Sequence, residues 1–211
     1  MRPKAVFFDF DDTLVLTKKA DEVAFLKTQE LAKEVRPDVD TAQLINDFTS
    51  RFTALPWDPA NSHLHLERGV EDLIDWLKVE GIAIVVITNG HPDVQRGKLA
   101  AAGIEKFVTH ILVGGEEIQQ GRPEKPAASI FHRACSLVGC QPHEAWHVGD
   151  NLYSDIRGAI GAGLAAAVWI NPQGRAASEQ HAQPTHTIAH ISELQDILVA
   201  ELQAFSTQTE G

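Results

Sequence analysis

Ala5-Val6-Phe7-Phe8-Asp9-Phe10-Asp11-Asp12-Thr13-Leu14 is the stretch on which the fold turns. Its four leading apolar residues form a run too short for a helix and suited to a strand buried on both faces. The run stops on three carboxylates within four residues, Asp9, Asp11 and Asp12. Acids packed that closely repel one another and stabilise nothing obvious. The cluster makes sense where a divalent cation neutralises it, and oxygen-only ligands favour Mg²⁺.

Working outward, apolar runs of the same kind stand at 82–87, 111–113 and 165–170, with a weaker one at 145–148 that ends in Gly149-Asp150. Helical patterns separate them. Val70, Leu73, Ile74 and Leu77 fall at i, i+3, i+4 and i+7, and Gly81 sits where a helix C-terminus is expected. Residues 94–102 and 128–138 also read as helices. Strands alternating with helices imply an α/β fold, a Rossmann-like parallel sheet sandwiched by helices. From 16 to 67 the alternation breaks. Ala20, Val23, Ala24, Leu31 and Val35 make one helical stripe, and Leu44, Phe48 and Phe52 another, before Leu55-Pro56-Trp57-Asp58-Pro59 interrupts. The expected organisation is a core of residues 1–15 and 68–211 with a small helical cap, residues 16–67, inserted after the first strand. The last residues, 206–211, are expected to be disordered.

Composition narrows the function. The 211 residues carry a net charge of −11, which repels nucleic acid and anionic membranes. No secretory or membrane-spanning run is visible, so a cytoplasmic protein is expected. Cys135 and Cys140 are too few for a disulfide framework or a four-cysteine zinc site and read as buried helix side chains. Among the ten histidines, His186 and His190 have a spacing that suits zinc, but no cysteine or acidic motif accompanies them, and they read as surface residues.

Ligands of open parallel sheets bind beyond the carboxyl ends of the strands, and the polar residues of this chain stand there. The second strand runs into Thr88-Asn89-Gly90, whose hydroxyl and backbone N–H groups suit phosphate oxygens. Lys125 lies in the stiff loop Gly121-Arg122-Pro123-Glu124-Lys125-Pro126, and the fourth motif, Gly149-Asp150-Asn151-Leu152-Tyr153-Ser154-Asp155, adds two more acids.

In this order the four segments resemble the motifs of the haloacid dehalogenase superfamily, whose first reads DxDxT and whose last is an acidic GDxxxxD. The likeness covers nearly the whole chain outside 16–67. The insertion directly after the first motif is similar to that of the helical-cap subfamily. Within the core, ITNG, LVGGEE, KPAASIF, VGDNLYSDIRGAIGAGL and VWINPQG resemble the N-acylneuraminate-9-phosphatase branch.

The resemblance implies a Mg²⁺-dependent phosphomonoester hydrolase acting on a small phosphorylated metabolite, a sugar phosphate or nucleoside monophosphate, as a monomer or homodimer. It implies Asp9 as nucleophile and Asp11 as general acid and base. The metal would sit on the carboxylates of Asp9 and Asp150 and the backbone carbonyl of Asp11, with Thr88, Asn89 and Lys125 on the phosphoryl group. Asp155 is open between ligating the metal, supporting its site and orienting Lys125, while Asp12 and Thr13 shape the turn or cap the next segment. Lys18, Lys19, Arg51 and Arg68 are candidate substrate contacts by position alone, and Trp57 reads first as an ordinary packing residue and second as a stacking platform at the cap edge. The alternatives are a phosphomutase, a 2-haloacid dehalogenase, which needs neither Asp11 nor Asp150, and a catalytically silent binding module.

Overall fold

A computed structural model describes residues 2–38, 40–44, 64–177 and 182–209, without the side chains of 19–24 and 205–209. Six parallel strands form one sheet: β1 (Ala5–Phe8), β2 (Ala83–Thr88), β3 (His110–Val113), β4 (Ala145–Gly149), β5 (Ala166–Ile170) and β6 (His186–Ile188). Their order is β3-β2-β1-β4-β5-β6, so the winding reverses between β1 and β4. At such a switch point the loops leave the two strands in opposite directions and open a crevice at their carboxyl ends.

Side chains of a strand alternate between faces, and β1 shows why it had to be apolar throughout. Val6 and Phe8 pack on one face with α2 (Val70–Val79), which buries Val70, Leu73, Ile74 and Leu77 there. Ala5 and Phe7 pack on the other with α5 (Ala128–Val138), which buries Ile130, Phe131, Ala134 and Cys135. Each Val, Leu, Ile or Phe among them, fully buried, contributes about 1.5–3 kcal/mol, so two such layers hold the sheet without a staple. The remaining α-helices among the described residues are α1 (Thr17–Val35), α3 (Pro92–Ala102), α4 (Gly114–Gln119), α6 (Gly158–Gly161) and α7 (Leu194–Thr209).

The expected strands and core helices stand within two residues of their expected bounds. Elements not anticipated include α4, α6, β6 and α7. Strand β6 is only three residues long and carries His186, while His190 stands after its end, so the two histidines do not share a helical face. Helix α7 buries Leu194 and Leu198 and continues to Thr209, where disorder was expected from 206. The stripe expected on α1 is not a buried one where it can be followed: Leu31 is 61% and Val35 70% exposed. Periodicity identified an apolar face but not a surface to receive it. Phe48, Arg51, Phe52 and Trp57, the side chains of Lys19, Ala20, Val23 and Ala24, and the Leu55–Pro59 interruption lie outside the described residues.

At the two ends of the segment between β1 and α2, Val15 makes an antiparallel bridge to Leu66, and the Glu67 N–H donates to the Leu14 carbonyl at 2.8 Å. The chain thus leaves and re-enters the core side by side.

Candidate active site

The turn after β1 is built on one carbonyl. The N–H groups of Leu14 and Val15 converge on the Phe10 oxygen at 3.0 and 3.2 Å, while buried Phe10 anchors the turn in the core. Asp12 occupies the left-handed region at φ 55°, a conformation that an aspartate tolerates better than most residues. Its carboxylate accepts from the Lys18 N–H at 2.9 Å, capping the first turn of α1. The turn does what a continuing strand could not and lets Asp9 and Asp11 both leave the sheet.

Asp9 continues the ladder, its N–H donating to the Val148 carbonyl at 2.9 Å, which aims its side chain into the crevice between β1 and β4. There Lys125 Nζ donates to Asp9 Oδ1 and to Asp155 Oδ1, both at 2.7 Å. All three side chains are at least nine-tenths buried. Asp155 has further donors: His147 Nε2 at 3.0 Å, the Asn151 N–H at 3.1 Å and the Ser154 hydroxyl at 3.4 Å. Because a carboxylate only accepts, Nε2 of His147 carries its proton.

This asymmetry decides where negative charge resides. Burial raises both acids, but Lys125 and His147 together outweigh it at Asp155 and hold that carboxyl well below the usual carboxylate range. Asp9 has the shared ammonium alone, and burial pushes its carboxyl up to about 8. Burial works against the charge of Lys125 too, yet its two carboxylates outweigh it and push the ammonium's pKa up. In His147 burial prevails and draws the imidazole down, toward the neutral form.

Asp150 stands at the end of β4. Burial raises its carboxyl, opposed by Lys18 Nζ, which lies 2.9 Å from Asp150 Oδ2 and 2.8 Å from Asp12 Oδ2. Asp9, Asp150 and Asp155 each offer an oxygen, and these oxygens lie within 4.8 Å of one another. An all-oxygen, net-negative donor set in which two carboxyls are raised by burial fits a hard divalent cation. The resemblance implies Asp9, Asp150 and the Asp11 carbonyl for that purpose; the carboxyl of Asp155 also joins this cluster, and it grips Lys125 as well.

Asp11 faces elsewhere. Its carboxylate accepts from Thr17 Oγ1 at 2.5 Å, Lys98 Nζ at 2.9 Å and Gln95 Nε2 at 3.0 Å. Thr88 is buried at the end of β2, as expected. Asn89 has a role the sequence did not suggest: its side-chain amide donates to the Lys125 carbonyl at 2.8 Å and accepts from the Lys125 N–H at 3.1 Å. This two-point clasp ties the loop of Lys125 to the turn after β2. The same loop is pinned at its start, where Arg122 and, from α5, Arg133 both donate to buried Glu117. Arg68 is exposed just before α2.

His147, Gln95, Lys98 and Asn89 as a clasp escaped the sequence reading. A histidine inside the otherwise apolar run 145–148 was the one available signal.

Gly149 is required by close approach. A Cβ there would fall 2.4 Å from Cγ of Asp155, whose carboxylate is pinned by its donors. Gly149→Ala is expected to displace Asp155 and cost about 1–3 kcal/mol. A thermal melt checks this, and an unchanged melting temperature would contradict it.

A family model described as haloacid dehalogenase-like hydrolase matches residues 3–163. The N-acylneuraminate-9-phosphatase of Rattus norvegicus is 29% identical, over 93% of this chain and 94% of its own length. The glyceraldehyde 3-phosphate phosphatase of Pyrococcus furiosus is 32% identical, over 80% and 81%. Among solved structures, a HAD phosphatase from Thermococcus onnurineus superposes with a TM-score of 0.71, covering 92% of this chain and 97% of that one at 22% identity, a likeness of fold. With four acidic, hydroxyl and lysine motifs gathered at one switch point and a family model spanning most of its length, the chain belongs to the haloacid dehalogenase-like hydrolases.

Proposed function

We propose that the chain is a Mg²⁺-dependent phosphomonoester hydrolase working through a phosphorylated Asp9. The observation that carries this is the buried Asp9 carboxylate, held by Lys125 at the mouth shared with Asp150 and Asp155. The named activities of the two relatives above, both phosphatases, support the reaction class.

An Asp9 oxygen attacks phosphorus as the bond to the leaving oxygen breaks, and Asp11 delivers a proton to that oxygen, releasing an alcohol. Asp11, now a carboxylate, takes a proton from water; the water oxygen attacks phosphorus, the bond to Asp9 breaks, and inorganic phosphate leaves. Lys125, the Thr88 hydroxyl and the Asn89 N–H donate to the phosphoryl oxygens, fixed in advance where charge develops. When bound by the Asp9 and Asp150 carboxylates and the Asp11 carbonyl, Mg²⁺ supplies the charge that lets an anionic nucleophile meet an anionic ester. Asp155 serves chiefly to orient Lys125.

Substrates on this reading are small phosphorylated metabolites, sugar phosphates or nucleoside monophosphates, selected by a helical cap of residues 16–67. Among the described residues no helix is long and apolar enough to cross a membrane. The purified chain should release phosphate from p-nitrophenyl phosphate with Mg²⁺, lose that activity in EDTA and regain it when Mg²⁺ is restored. Metal-independent turnover of a 2-haloacid without phosphate release would replace this reading with a dehalogenase. A panel of metabolite phosphates, ranked by kcat/KM, then identifies the substrate.

A further inference from the structure

We propose that Gln95 and Lys98 of α3 are positioning residues for Asp11, setting the direction from which it protonates the leaving oxygen; this rests on the phosphatase reading above. The two stand three residues apart, on neighbouring turns of one helix face. Each takes a different oxygen of the same carboxylate: Lys98 Nζ donates to Oδ1 at 2.9 Å and Gln95 Nε2 to Oδ2 at 3.0 Å. Two donors from a packed helix fix both the rotation and the tilt of a half-buried carboxyl group. Thr17, at the start of α1, also donates to Oδ1, at 2.5 Å.

Gln95 carries a second mark of this role. It is 6% exposed, and its Oε1 is buried without a donor among the described residues. Half of the amide is therefore unsatisfied, a costly arrangement that packing alone would avoid with an apolar side chain. The bond to Asp11 gives the other half its purpose. The same amide lies against Gly90, where φ is +121° and a Cβ would fall 2.8 Å from Gln95 Nε2. The turn that grips phosphate and the acid that protonates the leaving group are thereby set by one side chain.

The test uses the full chain with Mg²⁺ and two esters of similar shape, p-nitrophenyl phosphate and phenyl phosphate. Phenol, like tyrosine, has a pKa of about 10 and needs proton donation on leaving, whereas the far more acidic nitrophenol departs as its anion. The volume-conserving changes Gln95→Met and Lys98→Met are expected to lower kcat/KM on phenyl phosphate by roughly tenfold or more, and on p-nitrophenyl phosphate by less than about threefold. Asp11→Asn should show the same selectivity, more strongly. On an Asp11→Asn background either further change should alter both rates by less than about twofold, because they act through Asp11. Equal losses on the two esters, or losses that persist without the Asp11 carboxyl, overturn the proposal. Should Lys98→Met not fold, Gln95→Met decides alone. A wild-type chain that hydrolyses neither ester removes the phosphatase reading and the proposal with it, a result distinct from unselective loss.

Discussion

Asp9→Asn is expected to lower phosphate release by at least about 10⁴-fold, the scale on which losing a nucleophile is felt, and to make the metal-free protein more stable. Activity disappears because an amide oxygen is too poor a nucleophile to form the phosphorylated intermediate. Stability rises because the buried carboxyl, pushed up to about 8, is costly to ionise. An acid whose pKa is higher folded than unfolded binds more protons in the native state, so stability falls as pH rises from about 4 to about 8 and then levels. Asparagine removes that slope and still accepts from Lys125, which also keeps its bond to Asp155. The gap in melting temperature between Asp9→Asn and wild type, both in EDTA, should therefore open across this interval and be several degrees at pH 8. A wild type that melts above the variant at pH 8 would show that the ion pair with Lys125 outweighs burial. A destabilising feature at the reacting atom is the expected cost of holding an anion ready in a dry crevice.

How much of this was legible in the sequence depends on the distance over which each feature is encoded. Strand β1 and the acids beyond it are local: a short apolar run and a spacing suffice, and Asp9, Thr88, Lys125 and Asp150 all stand at the carboxyl end of the sheet as read. Strand β6 was missed because His186-Thr187-Ile188 buries a single apolar residue, giving alternation nothing to register. Gln95 and Lys98 looked like ordinary polar residues of an amphipathic helix, since their partner lies 84 and 87 positions away. The clasp of Asn89 on the Lys125 backbone is likewise a property of two loops brought together by the sheet, which composition does not express. Helix α1 shows the converse failure: Leu31 and Val35 keep a helical period yet are exposed, because period specifies a face and only tertiary structure supplies its partner.

Lys125→Met is expected to cost about 3–5 kcal/mol, the penalty for removing one member of a buried charge pair and leaving the rest uncompensated. For a chain of this size that lowers the melting temperature by roughly 10 °C. Activity should fall at least about 10²-fold through loss of a fixed donor to the phosphoryl group. The arrangement of charge makes a sharper demand than either number. One ammonium serves both Asp9 and Asp155, so in its absence two buried carboxylates are left at a single crevice. Asp155→Asn alone is destabilising, since it weakens the bonds from His147, Asn151 and Lys125. On the Lys125→Met background the same change removes one of two uncompensated charges and should stabilise. A double-mutant cycle by chemical denaturation in EDTA is thus expected to give a coupling of about 1–3 kcal/mol with a reversal of sign for Asp155→Asn. The penalty of Lys125→Met should also shrink as pH falls, first where the unpaired buried carboxyls take up protons above the usual carboxylate range, and then below about pH 4, where the wild type loses what its depressed Asp155 contributes. Additive effects, or a penalty that does not change with pH, would mean that Lys125 stabilises the core by packing of its stem and not by its charge.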